Sequence, residues 1–184
     1  MNVLVLVGSL RPDSLNRRLA RAAVAELPEG VEARFFDRLP ELPRYDQSLD
    51  VDPAPEVVAE LRRAVLAADA LLVVTPEYNG APSGVIKDAI DWVSRPRGEA
   101  AIVGKRAAVL AATMAPRGAQ WAREITARSL TVAGAEVLPE TVGLATAHQG
   151  LAGDTIVDDA TRAAVTALVT SLVAEPIVVD ALVG

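Results

Sequence analysis

The chain has 184 residues, a formal net charge of −6, and 51% apolar and 23% charged residues, figures that fit one soluble domain with a sizeable core. It has no cysteine, which excludes disulfides, thiolate catalysis, cysteine-ligated metals and the cysteine-loop phosphatases. The acidic balance disfavours a broad nucleic-acid surface, and uncharged stretches such as Ala163–Ala174 are too short to span a bilayer.

Strand and helix patterns alternate along the whole chain. No basic segment precedes the apolar run Asn2–Val7, so it reads as a first strand and not a signal peptide; a cytoplasmic protein acting on small molecules is expected. A helix follows from about Ser14, with Leu15, Leu19, Ala22 and Ala23 on one face. Val31–Phe36 reads as the second strand, and residues 38–55, rich in proline and acid, as a long loop. Pro55–Ala68 is a helix with Val58, Leu61, Val65 and Ala68 inward. Ala70–Thr75 is a buried strand stopped by Pro76, and Pro82–Val93 a helix whose Ile86, Ala89, Ile90 and Val93 keep helical spacing. Arg106–Thr113 is the fourth strand, Ala119–Ala133 a helix stopped by Gly134, and Glu136–Val142 the fifth strand. A last helix runs from about Asp158, and a short apolar tail closes the chain. Hydrophobic strands separated by helices imply a parallel sheet covered on both faces. Residues 1–184 therefore read as one doubly wound α/β domain with no internal repeat, and in flavodoxin-like sheets of this kind the strand order is 2-1-3-4-5.

The turn after the first strand reads GSLRPDSLN. It lacks the G-x-G-x-x-G of a dinucleotide site and the Gly-Lys-Ser/Thr of a P-loop, and its Gly8-Ser9 replaces the acidic ligands of a receiver domain. What it offers is hydroxyls at Ser9 and Ser14, the amide of Asn16, the fork of Arg11 and the outward N–H groups of a helix N-terminus. Together these suit a terminal phosphate dianion, although Ser14 taken alone reads as an ordinary helix cap. A second loop, Pro76–Gly84, follows the third strand, which neighbours the first at the switch point where ligands bind. Its proline and two glycines bring backbone close to a planar ring, and Tyr78 offers a stacking face. The chain has only two Trp, two Tyr and two Phe, so an aromatic side chain on this loop points to function.

The segments GSLRPDSLNRRLA, LPRYDQSLD, AADALLVVTPEYNGAPSGVIKDAIDW and GAEVLPE, in this order over nearly the whole chain, resemble the NAD(P)H-dependent FMN reductases, a family that includes quinone, chromate and azo-dye reductases. The resemblance implies an FMN phosphate at Ser9, Arg11, Ser14, Leu15 and Asn16, and a flavin ring lined by Pro76, Glu77, Tyr78, Asn79 and Gly80. NADPH or NADH would deliver hydride to the flavin, and a small acceptor (FMN, a quinone, an azo compound or a metal oxyanion) would take the electrons. No catalytic acid or base is implied, and His148, the sole histidine, reads as incidental. Assembly into a homodimer or homotetramer is also implied, through the helix carrying Lys87, Asp88, Asp91 and Trp92. Trp92 sits beside the Ile86/Ile90/Val93 stripe, which suits either an interface or packing inside its own domain.

One segment departs from the family. Where a serine- and glycine-rich loop is usual, residues 113–123 read TMAPRGAQWAR. Met114, Arg117 and Trp121 are expected to flank the flavin edge, with Arg117 on the phosphates of a nicotinamide or on an anionic acceptor; a solvated Arg117 and an inward Trp121 are the alternative. Arg44, Arg95, Arg97 and Arg117 all qualify as partners for a 2′-phosphate. Two other readings stand beside the enzyme: a flavodoxin-like electron carrier, and a domain that has lost its flavin through the altered loop.

Overall fold

A computed structural model describes residues 1–174. Five parallel strands, β1 (Asn2–Val7), β2 (Glu32–Phe35), β3 (Ala70–Val74), β4 (Arg106–Ala112) and β5 (Glu136–Leu144), form one sheet in the order β2-β1-β3-β4-β5. This is the 2-1-3-4-5 order expected from the sequence. Between them run α1 (Leu15–Ala25), α2 (Glu56–Ala67), α3 (Gly84–Val93) and α4 (Gln120–Val132), with α5 (Asp159–Val173) last. The apolar tail expected after α5 lies outside the described residues.

All five residues of β3 are buried, because helices cover both faces of the sheet. Val3, Val5, Val7, Leu72 and Val74 point toward α1 and α5, where Leu19, Ala23, Val165 and Leu172 meet them. Leu4, Leu6, Leu71 and Val73 point the other way, toward Val58, Leu61 and Val65 of α2 and Ile86 and Ile90 of α3. The alternation of side chains along each strand thus divides one apolar run into two cores. β1 and β3 are held in register from Val3↔Ala70 to Val7↔Val74, and the Gly8 N–H extends the pairing by donating to the Val74 carbonyl at 2.8 Å.

Several boundaries differ from the sequence reading, each for a local reason. α3 begins at Gly84 and not Pro82, because Ala81–Pro82 pairs with Glu77–Tyr78 in a small hairpin. β5 continues past Val142 to Leu144, with its register against β4 shifted between Ala107 and Val109. Pro139 sits in the shifted stretch, where an edge strand tolerates the missing N–H. The loop at 38–55 carries two short 3-10 turns, Leu39–Glu41 and Gln47–Leu49. Trp92 settles its open question: the side chain is 0% exposed and belongs to the α2/α3 core, so it packs inside its own domain.

Candidate functional site

β1, β3 and β4 deliver three loops to the same edge of the sheet. The first begins at Gly8, whose backbone runs tightly against the second loop and the start of α3: a Cβ there would lie 2.4 Å from Ser83 Oγ, 2.5 Å from Ile86 Cγ1 and 3.2 Å from Pro76 Cδ. Glycine is required by space, not by dihedral angle. Ser9 follows, 2% exposed, and then Leu10 and Arg11 turn outward to solvent. Ser14 caps α1 by accepting the Arg17 N–H at 2.9 Å, as its type favours; its hydroxyl hydrogen stays available. The N–H groups of Leu15 and Asn16, in the first turn of α1, have no protein acceptor among the described residues. Arg17 is tied to Asp37 at 2.9 Å, whereas Arg11 has no carboxylate within ion-pair distance among them.

Asn16 does more than the sequence suggested. Its buried amide donates to the Ala112 carbonyl at 2.9 Å and accepts the Ala112 N–H at 2.8 Å. The side chain thus ties the start of α1 to the end of β4, and leaves only its backbone N–H without an acceptor among the described residues. Leu15 packs half-buried on the α1/α5 core.

The second loop is the hairpin. Glu77–Tyr78 pairs with Ala81–Pro82, and the two residues between, Asn79 (φ 52°) and Gly80 (φ 76°), are both left-handed. That is the Asn-Gly geometry of a type I′ turn, so the turn chemistry noted in the sequence builds a rigid projecting tip. Pro76 is buried beneath it, and Tyr78 stands 55% exposed. Glu77 turns away from the tip and accepts the Ala122 N–H at 3.0 Å. It supplies the cap that Ala119, the left-handed residue before α4, has no side chain to provide. Ser83 was missed by the sequence reading. Its buried Oγ has no hydrogen-bond partner among the described residues and lies where the first two loops meet.

In the third loop Gly118 (φ 58°) and Ala119 (φ 54°) are both left-handed, and a Cβ on Gly118 would come within 2.9 Å of the Gly143 carbonyl oxygen. One glycine therefore does preserve a turn where the family has several. The half-buried Arg123 clamps it, donating from Nε to the Gly118 carbonyl at 2.9 Å and from Nη1 to the Thr141 carbonyl at 2.7 Å. Burial lowers the Arg123 pKa from its ordinary value, against the opposing pull of Glu124 and Glu77. Trp121 is 49% exposed and lies on the hairpin, its Cε3 3.2 Å from where a Gly80 Cβ would stand. The Arg117 guanidinium stacks 4.9 Å from the Trp121 ring centroid.

The donor set therefore suits a phosphorylated planar cofactor: N–H groups at a helix start and a guanidinium, neither with a partner among the described residues, and buried Ser9 for the phosphate, an exposed Tyr78 and close backbone for a ring. No group of three or more metal-ligating side chains occurs among the described residues. A doubly wound parallel sheet with these loops at its switch point defines a nucleotide-binding domain of the flavodoxin type. The chain belongs to the NADPH-dependent FMN reductase family, whose model matches residues 1–149. A 2-hydroxy-1,4-benzoquinone reductase from a Burkholderia species is 41% identical over 118 residues, which cover 64% of this chain and 63% of that protein. An NAD(P)H-dependent FMN reductase of Pseudomonas aeruginosa is 40% identical over 113 residues, covering 61% and 60%. The chain thus spans about three fifths of the length of these two relatives. The flavoenzyme NAD(P)H:(acceptor) oxidoreductase FerB of Paracoccus denitrificans superposes with a TM-score of 0.81 at 32% identity, over 93% of this chain and 94% of that one.

Proposed function

We propose that the protein is an NAD(P)H-dependent, FMN-containing oxidoreductase that reduces small acceptors, with quinones foremost given the name of its Burkholderia relative. The observation that carries this reading is the cradle at the start of α1: N–H groups without an acceptor, beside an Arg11 without an ion-pair partner, among the described residues, abutting the Tyr78 hairpin through the Gly8–Ser83 contact. Bound there, FMN would supply the redox chemistry, two-electron exchange between a nicotinamide and the acceptor. The chain's own residues bind and orient. Ser9, Arg11, Ser14 and the backbone of Leu15 and Asn16 hold the phosphate, and the Pro76–Gly80 segment walls the ring, with Glu77 bracing it from α4.

The deciding experiment is a visible spectrum of the purified protein followed by anaerobic addition of NADPH or NADH. Flavin absorption that bleaches on addition supports the enzyme. Flavin that no nicotinamide reduces returns the electron carrier, and a colourless protein that takes up no FMN returns the flavin-free domain. In Arg11→Ala, loss of one charge-assisted contact of roughly 1.5–3 kcal/mol should weaken FMN about tenfold or more. Equilibrium dialysis showing parental affinity would remove the phosphate from Arg11.

The reading includes a homodimer or homotetramer in the cytoplasm. With Trp92 buried, the surface that supports assembly is the groove between α3 and α4, lined by Lys87, Asp91, Val103 and Val132. There Val132 and Val103 stand out in solvent beside the charged Lys87 and Asp91. No described helix is long and apolar enough to cross a membrane. Light scattering at micromolar concentration should give a multiple of the chain mass; a monomer that still binds and reduces flavin would refute assembly.

A further inference from the structure

Of the four arginines that qualified for a substrate anion, the fold singles out one. Arg95 and Arg97 follow the C-terminal end of α3 and therefore lie at the sheet edge opposite the loops; Arg95 is turned onto the Tyr45 ring, 5.9 Å away. Arg44 adjoins Tyr45, whose N–H is bonded to Asp88 in the middle of α3. Only Arg117 follows a strand into the edge where the first and second loops meet.

Its presentation is fixed from below. Gly118 and Ala119, the next two residues, are buried and left-handed, a pair of conformations that costs energy at the alanine and is held by the Arg123 clamp on the Gly118 carbonyl. The Arg117 side chain is exposed, has no carboxylate within ion-pair distance among the described residues, and rests on Trp121, which itself rests on Gly80 at the hairpin tip. A stacked guanidinium keeps the edge that carries its donors free for a carboxylate or phosphate, and a side chain already held loses less freedom on binding. We infer that Arg117, seated on Trp121, is a specificity-determining residue that receives an anionic group, phosphate or carboxylate, on the small molecule approaching the Tyr78 hairpin. The inference rests on the flavin-reductase reading. The anion has two sources, the 2′-phosphate of NADPH or an acidic substituent on the acceptor, and both molecules visit the same face.

The test is steady-state kinetics of Arg117→Ala, with flavin content measured first. NADPH and NADH are compared against a neutral benzoquinone, then neutral and carboxylated benzoquinones against NADH. Loss of one charge-assisted contact should raise KM about tenfold for the charged member of one pair and leave its neutral counterpart and kcat unchanged. A rise for NADPH assigns the co-substrate, and a rise for the carboxylated quinone assigns the acceptor. Constants unchanged in all four assays overturn the inference while leaving the flavin reading intact; a parent protein that binds no flavin or oxidises no nicotinamide overturns that earlier reading instead. Calorimetric titration of the protein with 2′,5′-ADP and with benzoate needs no turnover. Affinity lost from one of these in the variant supports the site, and equal affinities for both in parent and variant refute it even should the variant shed its flavin.

Discussion

Asn16→Leu is expected to destabilise the fold by about 2–6 kcal/mol, the cost of orphaning two buried backbone groups at roughly 1–3 kcal/mol each. The size follows from where those groups lie. Leu110 pairs with Val74, the last residue of β3, and the Thr75 N–H donates to the Leu110 carbonyl at 3.0 Å. Beyond that point the chain leaves the sheet for the hairpin, so the N–H and C=O of Ala112 face a side on which no strand remains. The Asn16 amide takes the place of the missing strand, donating and accepting at the same residue. Leucine is similar in volume and can do neither. A chain of this size loses about 2–4 °C in Tm per kcal/mol, so the melting shift is easily read. Because the same side chain anchors the first turn of α1, FMN affinity should fall with stability. Arg11→Ala should lower affinity alone, since Arg11 is exposed and makes no ion pair among the described residues. An Asn16→Leu protein that melts with the parent would show the Ala112 groups to be satisfied in some other way.

Asn16 also marks the boundary of what the sequence could tell. Hydrophobic periodicity reported all five strands and the five long helices, because a sheet buried on both faces needs unbroken apolar runs and each helix needs one apolar stripe. Turn chemistry reported the Asn79-Gly80 tip, because only residues tolerant of positive φ form it. Contacts between residues far apart in the chain left no such trace. That Asn16 meets Ala112 and Glu77 meets Ala122 follows from which strands end beside one another, a property of the folded sheet. Each of these side chains has the type a ligand contact needs, and the loop chemistry of Asn16 and the family resemblance of both assigned them to the cofactor, whereas the structure commits them first to holding the loops. Ser83 was overlooked for the opposite reason. It reads as a routine residue at a helix start, and only the closeness of Gly8 makes its unpartnered hydroxyl part of the site. The short pairing of Leu151–Ala152 with Thr155–Ile156 left no signal in the sequence, because two-residue strands carry no periodicity.

Trp92→Ala should remove about 3–5 kcal/mol, the usual range for emptying a buried tryptophan site. Helical spacing places Trp92 off the Ile86/Ile90/Val93 stripe, and on an isolated helix it would face water. The 38–55 loop makes the difference by folding over it. The indole N–H donates to the Pro43 carbonyl at 2.8 Å, and Tyr45 packs edge-on with ring centroids 4.9 Å apart. Arg62 lies 5.9 Å from the ring centroid, donating to the Trp92 carbonyl at 3.0 Å and to Asp50 at 2.8 Å. One side chain thus pins both halves of the loop to α2 and α3. Trp92→Phe keeps most of the packing but leaves the Pro43 carbonyl without its donor, so it should cost about 1–3 kcal/mol. In both variants limited proteolysis should cut between residues 43 and 53 sooner than in the parent, and sooner in the alanine form. The two roles weighed for this tryptophan separate in the same experiment. A residue packed within its own domain lowers the denaturation midpoint at every protein concentration. A residue of the oligomer contact would leave the single chain's midpoint untouched and change only its assembly state, and that outcome would contradict the burial seen here.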